Sequence, residues 1–182
     1  MIKQNIVINR RRFLSSIAYA GVGLIVSPTL LATARQPDEL TFLHTHTGER
    51  LKVQYRDENG YLPDGLNEIN YFLRDFRTDD VHPMDTGLLD ILNELRLGMS
   101  ENGVFEVISG YRSPKTNESL RANGSGVAKH SLHMQGRAID IRLTGVETSQ
   151  LRNFCISMEC GGVGYYQKND FIHVDTGRVR SW

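Results

Sequence analysis

Ser131-Leu132-His133-Met134-Gln135-Gly136-Arg137-Ala138-Ile139-Asp140 and Phe171-Ile172-His173-Val174-Asp175 are the two stretches that decide how this chain reads. In the first, a loop carrying His133 runs into a strand carrying Asp140. In the second, apolar and polar residues alternate, so His173 and Asp175, two apart, point to one side of a strand. Two imidazoles and one carboxylate suit Zn²⁺, a borderline-soft ion. Three protein donors, His133, Asp140 and His173, leave the fourth tetrahedral position to water, whose pKa such a metal lowers towards ~7. Spacing alone also admits a bland reading. A histidine is usually an ordinary surface or core residue, and Asp140 in a strand can simply accept a hydrogen bond.

The flanking sequence supplies a frame for these residues. Strands are predicted over residues 40–45 and 51–56, with Thr47-Gly48-Glu49 as the turn between them, and over 104–108, 138–143, 163–166 and 171–175. A helix is predicted from Pro63, a residue suited to the first helical turn, with Leu66, Ile69, Leu73 and Phe76 on one face. Asp85 is a fair N-cap for a second helix striped by Leu88, Leu89, Leu92 and Leu95. A short helix is expected over 115–121, and another, capped by Thr148, carries Leu151, Phe154, Cys155 and Met158. This order implies an α+β fold, an antiparallel sheet with flanking helices.

The 182 residues suffice for one domain, and 40% hydrophobic with 23% charged residues is an ordinary globular composition. The formal net charge is zero but unevenly placed. Lys3, Arg10, Arg11 and Arg12 precede Ala34 without any acid; of the 21 basic residues this leaves 17 against 21 acidic ones, a net of −4. A slightly acidic body gives no electrostatic reason to expect nucleic acid or an anionic membrane as partner. Residues 1–34 read as an export signal: Arg10-Arg11-x-Phe13-Leu14 resembles the twin-arginine pattern, residues 17–31 are apolar, and Ala32-Thr33-Ala34 offers a cleavage site. The apolar run falls short of a span of ~20 residues, and Gly21, Gly23 and Pro28 weaken it, which favours a cleaved signal over a retained anchor. The mature domain is then 35–182.

Cys155 and Cys160, five apart on an expected helix, would point to opposite faces and read as two free or buried thiols. His44 and His46 share a strand face and with Glu49 could imitate a metal cluster, but a solvated strand face is the simpler reading. His82 reads as a loop residue, His130 as a substrate-side or merely exposed group, and residues 74–80 as a solvated helix end.

Ser131-x-His133-x-x-Gly136-x-Ala138-x-Asp140, followed by His173, resembles the metallopeptidase superfamily of D-Ala-D-Ala carboxypeptidases, VanX-type dipeptidases and the hedgehog signalling domain. Ser109-Gly110-Tyr111-Arg112-Ser113 resembles its arginine-bearing segment. The likeness is greatest to the murein endopeptidase K (YcbK-like) branch. It extends to Leu43-His44-Thr45 with Thr47-Gly48-Glu49, to Gly161-Gly162-Val163-Gly164-Tyr165-Tyr166, and to Asp175-Thr176-Gly177-x-x-Arg180-x-Trp182. The resemblance implies a hedgehog/D-Ala-D-Ala peptidase-like fold and a periplasmic zinc peptidoglycan hydrolase. Its substrates would be peptide crosslinks, including bonds between two diaminopimelate residues.

One departure matters. Much of that superfamily has Glu-x-x-His at the last ligand, with the glutamate as general base; here Asp170 stands three before His173, with a shorter reach. Asp175 is the rival, able either to activate water or to orient an imidazole. Arg112 would stabilise an oxyanion or grip a substrate carboxylate, or else form a structural ion pair. Ser131 is a candidate for substrate contact or for bracing the loop. Tyr165, with Tyr166, is a candidate for lining the cleft, although aromatic strand residues more often pack. Two alternatives remain at this level: a carboxypeptidase or dipeptidase trimming D-amino acids from wall peptides, and a non-catalytic wall-binding module with structural zinc.

Overall fold

The computed structural model describes residues 38–124 and 126–182, so the signal reading of residues 1–34 lies outside the described residues. Strand β1 (Asp38–His44) buries every second residue, Asp38, Leu40, Phe42 and His44, the two-residue period of a strand with one face in the core. It forms an antiparallel hairpin with β2 (Arg50–Asp57), whose edge is extended by β3 (Gly60–Tyr61). Then come α1 (Pro63–Phe72), α2 (Thr86–Met99), β4 (Phe105–Ser109) and α3 (Pro114–Ala122). The chain ends with β5 (Ala138–Leu143), α4 (Thr148–Ser157), β6 (Gly162–Tyr166), β7 (Phe171–Asp175) and β8 (Arg180–Ser181).

These strands form one sheet in the order β3-β2-β1-β4-β5-β7-β6-β8. The fold is α+β, but the sheet is mixed, which corrects the antiparallel expectation. β1 and β4 run parallel, because the connection between them carries two helices and returns the chain to the same end of the sheet. β6 and β8 also run parallel: after β7 the short turn 176–179 crosses the end of β6 and lays β8 on its far edge. Neither β3 nor β8 is long enough to show a period in sequence.

Pro63 occupies the start of α1 as expected, but the helix ends at Phe72, so the expected apolar face through Phe76 is cut short. There the buried Asp75 takes over, accepting hydrogen bonds from the backbone of Arg77 (3.1 Å) and of Ser113 (2.9 Å). The second bond ties this turn to the residue after Arg112. Asp85 caps α2 by accepting from Gly87 N at 2.9 Å, a contact worth about 1 kcal/mol. Leu88, Leu89, Leu92 and Leu95 are fully buried, each contributing roughly 1.5–3 kcal/mol by leaving water. They share one core with Phe42, Phe105, Ile139, Ile141, Ile172 and Val174. In β5 and β7 the residues between those apolar ones are therefore left for the opposite face of the sheet, and these are Asp140, His173 and Asp175.

His44 departs from the expected solvated strand face. It shares the parity of Leu40 and Phe42 and is 1% exposed, with its ring edge-on to Phe72 and Phe76. Its Nδ1 accepts from the backbone of His46 and Thr47, and burial lowers its pKa. His46 lies beyond the strand and stacks on Phe76. Cys155 is buried in the core and Cys160 half-buried, both as free thiols.

Candidate metal centre

His133 sits on a single 3-10 turn, Leu132–Gln135, that Gly136 closes in the left-handed region at φ 64°. A side chain there would also collide with Pro83, since an added Cβ would lie 2.2 Å from its carbonyl oxygen. The glycine thus lets the loop fold tightly against the start of α2, where Asp85 N donates to Gly136 O at 2.9 Å. From this turn the chain enters β5. Asp140 is paired in register with His173 on β7, so two residues far apart in sequence become cross-strand neighbours.

The three side chains converge. Asp140 Oδ1 is 2.8 Å from His173 Nδ1 and 3.3 Å from His133 Nε2, and the two ring nitrogens are 3.2 Å apart. All three residues are buried, and among the described residues they form the one cluster of donors suited to a metal ion. The outward nitrogens fix the tautomers. His133 Nδ1–H donates to Gly110 O at 2.7 Å, and His173 Nε2–H donates to Asp175 Oδ2 at 2.9 Å. When both rings are neutral and so held, the inward Nε2, Nδ1 and Oδ1 are three lone pairs facing one another. Without a positive charge between them this arrangement is repulsive; with a small divalent cation it is a set of ligands. The donors therefore fit the metal that the sequence implies.

In metal-free protein the protonated His173 ring has a carboxylate partner at each nitrogen, Asp140 at Nδ1 and Asp175 at Nε2. Burial pushes the His173 pKa down, but its hydrogen bonds to Asp140 and Asp175 outweigh this and raise it to about 9. A folded-state pKa raised above the ordinary ~6.5 gives stability that is complete below ~6.5 and is lost as pH rises through the folded value. Metal-free protein is expected to lose thermal stability between about pH 6.5 and 9. Metal must displace that proton, so the stabilisation by added Zn²⁺ is expected to grow over the same interval. Thermal unfolding with and without Zn²⁺ across this range checks both signs; a metal-free protein whose stability rises with pH there would contradict the assignment.

Asp175 is fully buried and saturated. Its Oδ1 accepts from Gly162 N (3.2 Å), Gly177 N (2.8 Å) and Arg180 Nη1 (3.0 Å), and its Oδ2 from Arg180 Nη2 (2.7 Å) as well as His173. Desolvation opposes its ionisation, but the His173 and Arg180 hydrogen bonds outweigh it and hold the carboxyl well below the usual range. Asp170 points elsewhere. It accepts from Thr148 Oγ1 at 2.6 Å, lies 3.8 Å from Arg142, and lines a separate depression with Glu106 and Glu147.

The donors open onto a cleft of about 360 Å³ lined also by Arg112, His130, Ser131, Tyr166, Phe171 and Trp182. Arg112 is 9% exposed; its Nη2 lies 3.7 Å from Asp140 Oδ2, and its buried Nε has no hydrogen-bond partner. Burial lowers its pKa more than Asp140 raises it. Tyr165 faces the other way, packed on the core beneath Arg152, while Tyr166 lines the cleft and stacks on Phe171. Of the two tyrosines considered for the cleft, the pairing of Gly164 with His173 selects Tyr166, which shares their strand face. Arg180 and Trp182 were read only as parts of a motif, without a role, because no local pattern places them beside His173.

A buried His-Asp-His donor set open to a cleft, on the free face of an α+β sheet, is the construction of a metallopeptidase. The chain belongs to the Peptidase_M15_2 family, described as peptidoglycan L,D-endopeptidase MepK, whose model matches residues 32–182. It is 40% identical over 178 residues to the peptidoglycan L,D-endopeptidase MepK of Escherichia coli K12, covering 96% of this chain and 97% of that protein. The Shigella flexneri protein of the same name matches to the same extent. A probable peptidoglycan L,D-endopeptidase MepK of Haemophilus influenzae is also 40% identical, covering 96% and 95%.

Proposed function

We propose that the chain is a zinc-dependent peptidoglycan endopeptidase that hydrolyses peptide crosslinks of the bacterial wall, including bonds between two diaminopimelate residues. The observation that carries the reading is the convergence of three potential metal donors, His133, Asp140 and His173, at a cleft in a chain of this family. Zinc, when bound there, supplies a Lewis acid that polarises a carbonyl and makes hydroxide available near neutral pH. A structural zinc module would call for a fourth protein donor, and the described residues offer three.

In this reading each neighbouring side chain has a task. Asp175 orients His173; with both oxygens saturated it has no lone pair left to take a proton from water. Asp170, turned to Thr148 and Arg142, braces the start of α4. Arg112, at the cleft, donates from its guanidinium to the oxyanion that develops on the scissile carbonyl or to a substrate carboxylate. Ser131 contacts substrate at the cleft wall, and Tyr166 takes the lining position expected of Tyr165. Residues 1–34 act as a twin-arginine-type export signal, and residues 35–182 work in the periplasm, where the crosslinks are. The domain has the hedgehog/D-Ala-D-Ala peptidase-like build.

Crosslinked muropeptide dimers, incubated with the purified domain before and after chelation and after zinc is restored, test the proposal. Conversion of dimers to monomers that stops on chelation and returns with zinc is the expected result. Shortened stems with intact dimers would instead favour the carboxypeptidase reading, and cleavage indifferent to the chelator would remove the metal from the reaction.

A further inference from the structure

Neither Arg180 nor Trp182 supplies a metal donor, yet both close on His173. Arg180 meets Asp175 with two parallel hydrogen bonds, Nη1 to Oδ1 at 3.0 Å and Nη2 to Oδ2 at 2.7 Å. The same Oδ2 accepts from His173 Nε2. The indole of Trp182 lies against the His173 imidazole, with centroids 5.3 Å apart, and the Arg180 guanidinium sits 4.9 Å from that indole. Gly164, cross-strand from His173, provides the seat: an added Cβ would come within 2.7 Å of the Trp182 ring. Backbone hydrogen bonds from Trp182 N to Val163 O and from Tyr165 N to Trp182 O keep the segment docked on β6.

We propose that Arg180 and Trp182 are positioning residues that set metal affinity by holding His173 in one tautomer and one orientation. Asp175 fixes that tautomer only while its carboxylate is charged and immobile. Arg180, half-buried on the edge strand β8, supplies the compensating charge and holds both oxygens in one plane. Trp182 covers the ring and excludes the swings that would turn Nδ1 away from Asp140 and His133. A ligand held in place does not lose that freedom again when metal binds. The inference rests on the proposed His133, Asp140 and His173 donor set.

The test is zinc affinity in the purified chain, by competition with a chromophoric chelator, alongside thermal unfolding of the metal-free proteins. Arg180→Met is expected to weaken zinc binding roughly tenfold to a hundredfold. Arg180→Lys, which keeps the charge but not the paired hydrogen bonds, recovers part of that loss, and Trp182→Ala gives a smaller loss. His133→Ala serves as reference and loses zinc most severely. If His133→Ala loses zinc while Arg180→Met binds as tightly as the parent, this inference is overturned and the donor set stands. If His133→Ala binds normally, the donor set falls and this inference with it. Should Arg180→Met fail to fold, Arg180→Lys and Trp182→Ala decide by the same criterion, and parental affinity in both overturns the proposal.

Discussion

His133→Ala is expected to reduce crosslink cleavage by about three orders of magnitude or more, corresponding to the several kcal/mol that a correctly held metal contributes to the transition state. The size of the effect follows from geometry. The remaining Asp140 and His173 are already hydrogen-bonded to each other at 2.8 Å, so a two-donor remnant closes on itself or on a proton rather than on a metal. The fold, by contrast, is expected to survive. The turn bearing His133 is held by backbone hydrogen bonds, Arg137 N to Leu132 O and Met134 N to Ser131 O, and by Gly136, none of which uses the imidazole. The substitution leaves Gly110 O without its side-chain donor, a loss of about 1–3 kcal/mol if water does not replace it. Loss of one of three crowded inward lone pairs offsets part of that. Dimer cleavage, bound zinc and circular dichroism, measured on the same preparation, check the prediction; a folded variant with parental turnover would remove His133 from the reaction.

The convergence of His133, Asp140 and His173 was legible because metal-donor chemistry is restricted to few residue types and because strand parity is local. His173 and Asp175, two apart in an alternating run, fell on one face as expected, and Ile172 and Val174 fell in the core between them. Parity was informative wherever it was applied. His44 follows Leu40 and Phe42 in the same strand and is buried with them, so its misreading as solvated came from weighing its polarity above its position. Tyr165 and Tyr166 are a different case. Parity says that they face opposite ways, but which one meets the cleft depends on the register Gly164 to His173, a pairing that no local pattern contains. The mixed sheet was hidden for a related reason. β8 has two residues, too few to carry a period, and the parallel pairing of β1 with β4 is set by the path of the chain through two helices. Arg180 reached the site by that same unread strand.

Asp175→Ala is expected to destabilise the protein by about 1–3 kcal/mol, because it removes a fully buried carboxylate and leaves the donors around it, the half-buried Arg180 among them, without their acceptor. Arg180 would keep its charge with no carboxylate, and Gly162 N, Gly177 N and His173 Nε2 would lose their acceptor. The carboxyl titrates well below its usual range, so its contribution is present above the ordinary ~3.9 and is lost as pH falls through the folded-state value. The deficit of the alanine variant should therefore be greatest near neutral pH and should shrink in acid, measurable by denaturant unfolding of the metal-free proteins. Asp175→Asn separates the two roles considered for this residue. An amide nitrogen facing His173 Nε2–H sets donor against donor, which favours moving the imidazole proton to Nδ1, the atom that faces Asp140 and His133. An orienting carboxylate thus predicts a folded asparagine variant whose zinc affinity falls roughly tenfold to a hundredfold, with activity partly restored by excess zinc. A general base predicts the reverse, parental zinc affinity with turnover that no amount of metal restores. Because both oxygens of Asp175 are already occupied and the residue is fully buried, the first pattern is the expected one.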